Sequence, residues 1–164
     1  MKEIPLTKGY VAIVDDEDYQ PLSKYSWIAH VNGGHVCAIR STHVNGKSVN
    51  LRMHRVIMNA PRELEIDHVN GDPLDNRKSN LRLCTHQQNC HNFRKYKGKS
   101  RYKGVYPIKG SIKWGSQLRC GDTCYTLGRF MAEEEAAHAY DTAARKHFGE
   151  FARCNFPNET QEAI

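Results

Sequence analysis

The chain has 164 residues, of which 24 are Lys or Arg and 18 are Asp or Glu, so its formal net charge is +6. This length allows one ordinary domain or two small ones, and an apolar content of 39% with a mean hydropathy of −0.71 is typical of a polar but folded chain. The longest apolar runs, such as Tyr10–Val14, are too short to cross a membrane. Because the first residues lack the apolar core of a signal peptide, we expect a cytoplasmic protein whose six cysteines are reduced.

Residues 4–56 predict a β-rich N-terminal module. The dipeptides Gly33-Gly34 and Asn45-Gly46 are typical of tight hairpin turns and separate its strands. The predicted strands are Tyr10–Val14, Trp27–Val31, His35–Ser41 and Lys47–Met53. No chemical role is suggested by the residues between 4 and 50.

Residues 64–92 predict two strands and a short helix around a polar loop. The strands are Leu64–Asp67 and Leu81–Cys84, and Val69–Asn80 is the loop between them. Thr85 is a suitable cap for a helix that ends at Asn92.

The positive charge is concentrated in Arg94–Lys103, termed here the basic segment. It has six basic residues and no acidic one, so its charge equals the whole surplus of the chain. With its two tyrosines it is typical of a surface that contacts a polyanion, and a solvated linker has the same composition. Its basic residues are Arg94, Lys95, Lys97, Lys99, Arg101 and Lys103.

The C-terminal part predicts three strands and one long helix. The elements are Tyr102–Tyr106, Ile112–Cys120, Thr123–Leu127 and the helix Ala132–Phe148, whose Ala-rich stripe can pack closely on a sheet. The chain is therefore predicted to be an α+β protein of two domains. The first domain is β-rich and covers residues 1–93, and the second is a three-stranded antiparallel sheet packed on one helix over residues 102–157. A basic linker over residues 94–101 joins them, and residues 158–164 form a tail.

Four polar residues in the 64–92 segment have the chemistry of phosphodiester hydrolysis, which needs a hard cation, a base for the attacking water and side chains that position both. Asp67 and Asn89 offer carboxylate and amide oxygens, the ligands that suit Mg²⁺. His68 suits a general base at neutral pH, because the ordinary pKa of His is about 6.5. Asn80 can hydrogen-bond the backbone across the loop and so orient His68. A strand, a loop, a second strand and a helix can bring these groups around one ion.

The segment Leu51–Asn92 resembles the HNH endonuclease family, whose ββα-metal motif is a hairpin and a helix that hold one divalent ion. The matching runs are Met53-His54-Arg55, Glu65-Ile66-Asp67-His68, Asn70-Gly71-Asp72, Asn76-Arg77, Ser79-Asn80-Leu81-Arg82 and Thr85-His86-Gln87-Gln88-Asn89. The last motif position is Asn instead of the His that gives the family its name. This variant is typical of intron-borne, phage-type homing members.

The resemblance assigns a role to each residue of this motif. It implies that His68 is the general base and that Asn80, the middle Asn, is catalytic. It implies that Asp67 and Asn89 bind one Mg²⁺ or Mn²⁺ ion. The supporting residues are His54 and Arg55. We expect no structural zinc, because the spacing of Cys84, His86, Cys90 and His91 matches no common zinc site.

Residues 101–156 resemble the plant apetala and ethylene-response-factor type of DNA-binding domain. The matching runs include Tyr102-Lys103-Gly104-Val105, Lys113-Trp114, Leu127-Gly128-Arg129-Phe130, Tyr140-Asp141 and Asn155-Phe156-Pro157. The resemblance implies that the three-stranded sheet enters the major groove of double-stranded DNA. The predicted contacts are the basic residues of the basic segment, including Lys103, together with Tyr106, Lys113, Gln117, Arg119 and Thr126. Because Tyr106, Cys124 and Thr126 differ from the usual plant residues, the plant target sequence is not transferred.

Together these features predict a site-directed DNA endonuclease of the HNH homing type, of phage or bacterial origin. It would act as a monomer or a homodimer, without a membrane partner. One alternative is a DNA-binding regulator with a decayed nuclease domain, and the presence of all four motif residues argues against it. A second alternative is a nuclease that acts on RNA or on a DNA structure, which a groove-reading domain does not favour. The target sequence, and nicking as opposed to double-strand cleavage, do not follow from the sequence.

Overall fold

A computed structural model describes residues 1–92 and 98–157. The chain divides into two compact units, Met1–His86 and Gln87–Ile164. Both units mix helices with small antiparallel sheets, so the predicted α+β class is confirmed. None of the helices in the described ranges has the length and the apolar character needed to span a bilayer.

The first unit contains three small antiparallel sheets. Strands β1 and β2 form one, β3, β4 and β5 form the second in that order, and β6 and β7 form the third. The strands are Lys2–Pro5 (β1), Val11–Val14 (β2), Ile28–Asn32 (β3), His35–Val44 (β4), Lys47–Arg52 (β5), Glu65–His68 (β6) and Leu81–Cys84 (β7). The helices are Asp16–Ser23 (α1) and Met53–Met58 (α2), with 3₁₀ turns at Thr7–Gly9 and Lys78–Asn80. Helix α3, His86–His91, follows β7.

The predicted hairpins of the N-terminal module are confirmed, with small shifts at their ends. Asn45 and Gly46 have φ values of 49° and 74°, as a two-residue type I′ turn requires. The predicted strand Lys47–Met53 is one residue too long, because the fully buried Met53 begins α2. Strand β1 and helix α1 were not predicted. Helix α1 contains Pro21 and buries one residue, so its apolar periodicity is weak.

One apolar core holds the first unit together. It draws on β1, β2, α1, β3, β4 and α2, and Leu74 from the loop between β6 and β7 packs against it. The indole N–H of Trp27, inside this core, donates to the carbonyl of Leu22 at 2.9 Å. The buried residues are Ile4, Leu6, Ala12, Val14, Leu22, Trp27, Ala29, Ala38 and Met53. The hairpin β6–β7 is therefore tied to the N-terminal module through its loop.

The second unit contains one three-stranded antiparallel sheet, in the order β10-β9-β8, and one long helix. The elements are Val105–Pro107 (β8), Trp114–Cys120 (β9), Thr123–Phe130 (β10) and Glu133–Phe148 (α4), followed by a 3₁₀ turn at Gly149–Phe151. As predicted, the helix packs on the sheet through small residues, because Ala136, Ala137 and Ala144 are fully buried.

The first strand of this sheet begins later than predicted. The sequence suggested Tyr102–Tyr106, whereas β8 starts at Val105. Gly104 has a φ of +79°, and a Cβ there would come within 1.9 Å of the Tyr140 ring, so the chain turns tightly against α4 before the strand starts. The buried carboxylate of Asp141 supports this turn by accepting bonds from the backbone of Asn155, whose side chain binds the Lys103 N–H at 2.7 Å.

Candidate functional site

The end of β6 places a carboxylate and an imidazole next to each other inside the protein. Asp67 and His68 are only 4% and 9% exposed, respectively. Asp67 lies opposite Arg82 of β7 in the antiparallel register, and His68 lies opposite Leu81. The hairpin therefore positions both predicted residues at the strand end from which the polar loop begins.

Asp67 forms a two-point ion pair across the hairpin. The Nε and Nη2 atoms of Arg82 donate to Oδ2 of Asp67 at 2.9 and 2.6 Å. Both side chains are largely buried, so the pair is shielded from solvent. Arg82 was part of the matching motif, but no role had been predicted for it. The pair fixes the orientation of the carboxylate.

His68 lies against a second histidine, His54 of α2. The two rings are 5.2 Å apart between centroids and nearly perpendicular. Burial lowers the pKa of His54 to about 3, and the charges of His68, Arg52 and Arg55 act in the same direction. Burial also lowers the pKa of His68, while a contact with the Asn76 side chain acts in the opposite direction. Both imidazoles are therefore neutral at neutral pH.

The polar loop that follows His68 is tied together by Asn80. Its Oδ1 atom accepts from the backbone N–H of Asn70 at 2.9 Å, and its Nδ2 group donates to the carbonyl of Asp75 at 2.8 Å. Asp75 in turn accepts from Arg77 at 2.7 and 2.6 Å and from the Asn70 amide at 2.9 Å. Asn80 thus bonds the backbone across the loop, as its position in the sequence indicated.

The N-terminal module holds the same loop from outside. Ile13 of β2 donates its N–H to the carbonyl of Leu74 at 2.8 Å and accepts from the N–H of Asn76 at 2.8 Å. The backbone N–H of Lys78 donates to Asp15 Oδ2 at 2.8 Å, and its ammonium pairs with Glu17. Sequence analysis missed this role, because such long-range backbone pairing leaves no local pattern. This backbone pairing also fixes the position of the fully buried Asn76, whose side chain contacts His68.

Arg55, predicted as a supporting residue, fastens the segment that leads into β6. Its guanidinium donates to the carbonyl oxygens of Leu64 at 3.0 Å, Ala60 at 3.2 Å and Pro61 at 2.7 Å. Three backbone acceptors on one guanidinium hold this segment against α2. Arg55 therefore acts on the site through the backbone that leads into β6.

Asn89, the second predicted ligand, lies in α3, in the part of the helix that belongs to the second compact unit. Its role beside Asp67 stays a prediction. In the ranges 1–92 and 98–157, no group of three or more His, Cys, Asp or Glu side chains could hold a metal ion. One carboxylate with an amide oxygen, water and substrate phosphate is a donor set that fits Mg²⁺, which usually keeps several waters.

The sheet of the second unit exposes the polar face that the alternation predicted. Gln117 and Arg119 are exposed, whereas Leu118 is buried against the helix. Tyr106 lies over Gly115 on the exposed face, since a Cβ at Gly115 would meet its ring at 2.5 Å. The predicted residues Lys113 and Thr126 are also exposed.

Sequence analysis missed one cation on this face, Arg129. The register of β10 shifts between Thr126 and Gly128, so that Arg129 pairs with Gly115 and Thr126 pairs with Gln117. Directly paired residues share a face, so this bulge adds the exposed Arg129 to the face of Gln117. The signal was Gly128, because a glycine inside a strand is typical of a bulge.

Three residues of the basic segment, Arg94, Lys95 and Lys97, lie outside the described part of the chain, and the DNA contacts of the others stay predictions. Arg101 pairs with Glu134 of α4. Lys103 lies before β8 instead of on it, and its ammonium donates to the carbonyl of His91 at 2.6 Å. Burial lowers the pKa of Lys103 to about 8. Arg101 and Lys103 thus make structural contacts inside the second unit, whereas Lys99 is exposed.

A buried carboxylate beside a buried imidazole, on a hairpin with a tethered polar loop, is a candidate catalytic site. A family model described as HNH endonuclease matches residues 51–91, which include this hairpin. The chain is also 32% identical over 154 residues to an uncharacterized HNH endonuclease of Acanthamoeba polyphaga mimivirus, covering 90% of this chain and 76% of the relative. The chain therefore belongs to the HNH endonuclease family.

Two plant proteins match a shorter part of the chain. An AP2/ERF and B3 domain-containing protein of Oryza sativa is 44% identical over 64 residues, which are 39% of this chain and 17% of the relative. An AP2/ERF and B3 domain-containing transcription repressor of Arabidopsis thaliana, TEM1, is 42% identical over 60 residues, which are 37% of this chain and 16% of the relative. The chain thus spans about one sixth of each plant protein.

Proposed function

We propose that the protein is a site-directed DNA endonuclease of the homing type, which hydrolyses phosphodiester bonds at the β6–β7 hairpin. The observation that carries the proposal is the buried pair Asp67 and His68, whose loop is tied by Asn80 and by the N-terminal module. Membership of the HNH endonuclease family supports nuclease activity, and the net charge of +6 suits a polyanionic substrate.

Each residue of the site has a role in the proposed reaction. His68 takes the proton of the water that attacks phosphorus, and the P–O3′ bond breaks, with O3′ taking a proton from solvent, to give a 3′-hydroxyl and a 5′-phosphate. Asp67 and Asn89 would hold one divalent ion, Mg²⁺ or Mn²⁺, which when bound supplies positive charge at the scissile phosphate. Arg82 orients the Asp67 carboxylate, and Asn80 keeps the loop in place behind His68.

The second unit would choose where the cut falls. Its exposed face carries Gln117 and Arg119, residue types that read adenine and guanine edges in the major groove. The partial likeness to proteins named for AP2/ERF domains supports a DNA-binding role for such a sheet. Because one catalytic centre cleaves one strand, a monomer would nick and a homodimer would break both strands.

The test is the conversion of supercoiled plasmid to the nicked form by the full-length protein. Wild type should nick with Mg²⁺ or Mn²⁺ and stop when EDTA is added. His68→Ala should lose at least about 100-fold in rate, because a general base contributes about 10²–10⁴. His86→Ala is the matched control, since this imidazole of the first unit is exposed and pairs with Glu65.

Two results would contradict the proposal. Wild type that leaves the plasmid supercoiled with both ions would indicate a DNA-binding regulator with a decayed nuclease domain. Equal nicking by wild type and His68→Ala would remove the catalytic assignment. Circular dichroism and thermal unfolding of both variants separate a lost base from a lost fold.

A further inference from the structure

A long stretch of the first unit contains no acidic residue. Between Asp18 and Glu63 the chain has 44 consecutive residues without Asp or Glu, including six Lys or Arg and four His. At the average of 18 acidic residues in 164, a stretch of this length would contain about five. It covers the whole β3-β4-β5 sheet and α2. The HNH family match begins only at residue 51, after most of this sheet.

The β3-β4-β5 sheet has one buried face and one exposed polar face. Ala29 and Ala38 pair with each other, and each is 2% exposed within the core. The opposite face, termed here the outer face, carries mostly polar exposed side chains and no acid, with Ile28 the apolar residue most exposed on it. Its members include His30, His35, Ser41, His43, Asn50 and Arg52.

The β4–β5 hairpin extends beyond the core as a two-stranded ribbon. Past the Ser41–Asn50 pair, whose side chains hydrogen-bond at 2.8 Å, every residue of the ribbon except the half-buried Thr42 is exposed. Val44 and Val49, on the face that is buried nearer the core, are 51% and 38% exposed. The Asn45-Gly46 turn lies four residues beyond this pair on each strand. At ~3.4 Å per residue, the ribbon therefore extends about 14 Å from the pair to its tip. A major groove is about 12 Å wide and about 8.5 Å deep and admits such a ribbon.

We propose that the outer face and the β4–β5 ribbon form a second DNA-binding surface, which takes the duplex next to the cleavage site. The inference rests on the proposed function, because it takes double-stranded DNA as the partner. Lys47 at the ribbon tip, on the face of Val44, and Arg52 at its base, on the outer face, would contact phosphates on the two sides of the ribbon. The polar side chains of the outer face would face a groove.

The surface is continuous with the site in the chain and in space. Arg52 directly precedes α2, which carries His54 at 5.2 Å between ring centroids from His68. The acids that precede the acid-free stretch are engaged elsewhere, since Glu17 and Asp18 pair with Lys78. A duplex held at His68 would therefore meet a neighbouring sheet whose own residues carry no negative charge.

Charge also favours DNA over a second copy of this chain as the occupant. Two-fold association would bring the same patch from both copies together, so that basic residues would face basic residues. A phosphate backbone is complementary to such a surface.

The test compares two double variants of the full-length protein. Lys47→Gln with Arg52→Gln removes one charge at the tip and one at the base of the ribbon. Lys8→Gln with Arg62→Gln is the matched control, because both are exposed residues of the first unit outside the sheet. Binding is measured by fluorescence anisotropy in EDTA with a labelled mixed-sequence duplex of about 30 base pairs, between ~50 and ~200 mM salt. Thermal unfolding checks that both variants are folded.

The ribbon variant should bind DNA about tenfold more weakly than wild type. The slope of log K against log salt concentration should become shallower by about two, since each of the two lost phosphate contacts contributes about 0.9 to that slope. The control should stay close to wild type. A photo-crosslinking residue at Val44 should capture the duplex, and one at Tyr10 should not.

Three results would overturn the inference in distinguishable ways. If wild type neither binds nor nicks DNA, the proposed function fails and the inference fails with it. If wild type binds and nicks but the ribbon variant keeps its affinity and slope, the second surface alone is refuted. If the ribbon variant changes from dimer to monomer in sedimentation without a change in affinity per subunit, the face is a self-association surface.

Discussion

Replacement of Asn80 by Ala tests whether this residue positions His68 for catalysis or only stabilises the loop between β6 and β7. Asn80 is 6% exposed and makes two side-chain bonds, to the N–H of Asn70 and to the carbonyl of Asp75. The Asp75 bond is buried, so its carbonyl would be left without a partner at a cost of about 1–3 kcal/mol. The Asn70 bond is only part-buried and water can replace it, so its loss should cost about 1 kcal/mol. We therefore expect a loss of about 2–4 kcal/mol in the free energy of unfolding.

The same change should also slow cleavage. The loop that Asn80 ties together includes Asn76, which contacts His68, so the imidazole would lose part of its fixed orientation. A misplacement of about 1 Å at a reacting group can cost about 100-fold in rate. We expect the single-turnover rate at saturating DNA to fall about 10- to 100-fold, while the dissociation constant for DNA stays within about twofold.

The assay measures urea unfolding and single-turnover nicking of the same preparations below their unfolding midpoints. Ser79→Ala is the matched control, because Ser79 is the exposed neighbour in the same 3₁₀ turn. An unchanged cleavage rate with the expected loss of stability would show that Asn80 supports the loop but does not position His68. A change in stability below about 0.5 kcal/mol would refute the bonding argument itself.

Three other predictions follow from the geometry. Arg82→Gln should lower stability by about 3–5 kcal/mol, because it leaves the Asp67 carboxylate buried without its ion pair, and adding Asp67→Asn should recover part of that loss in a double-mutant cycle by urea unfolding. In the folded protein the pKa of His54 is lowered to about 3, whereas in the unfolded chain it is about 6.5. Between these two pH values only the unfolded chain binds the proton. As the pH falls through this window in EDTA, the free energy of unfolding should therefore fall by about 1.4 kcal/mol per pH unit. His54→Gln should flatten that decline between about pH 6.5 and pH 5. Arg129→Gln should weaken duplex binding and lower its salt slope by about one, whereas Lys109→Gln outside the sheet should leave the slope unchanged in the same anisotropy assay.

Patterns that are local in sequence predicted the bounds of the strands that carry the site, the hairpin turns and the long helix well. Strand β7 has the predicted bounds, Leu81 and Cys84, and β6 differs from its prediction by one residue at each end. The helix over 133–148 was predicted to within one residue, because a clear apolar stripe and an acidic first turn are both present. Hairpin turns at Gly33-Gly34 and Asn45-Gly46 follow from residues that adopt a positive φ.

The features that sequence analysis missed depend on contacts between distant residues. Nothing near Lys103 in the sequence indicates that its ammonium binds the carbonyl of His91 or that burial lowers its pKa. Strict alternation from Thr126 would place Arg129 on the opposite face, and only the bulge at Gly128 reverses that. A side chain's type predicts what it can bind, but the partner that it has already bound is a property of the fold.

The tethering of the loop shows that the HNH segment depends on residues outside its family match. The matched residues 51–91 include His68 and Asn80, but the backbone groups of Leu74 and Asn76 are paired by Ile13, and that of Lys78 is paired by Asp15. Without the N-terminal module these groups would lose their partners, and Leu74 would lose the core against which it packs. The β-rich module, to which the sequence assigned no chemistry, is therefore part of the machinery that positions His68.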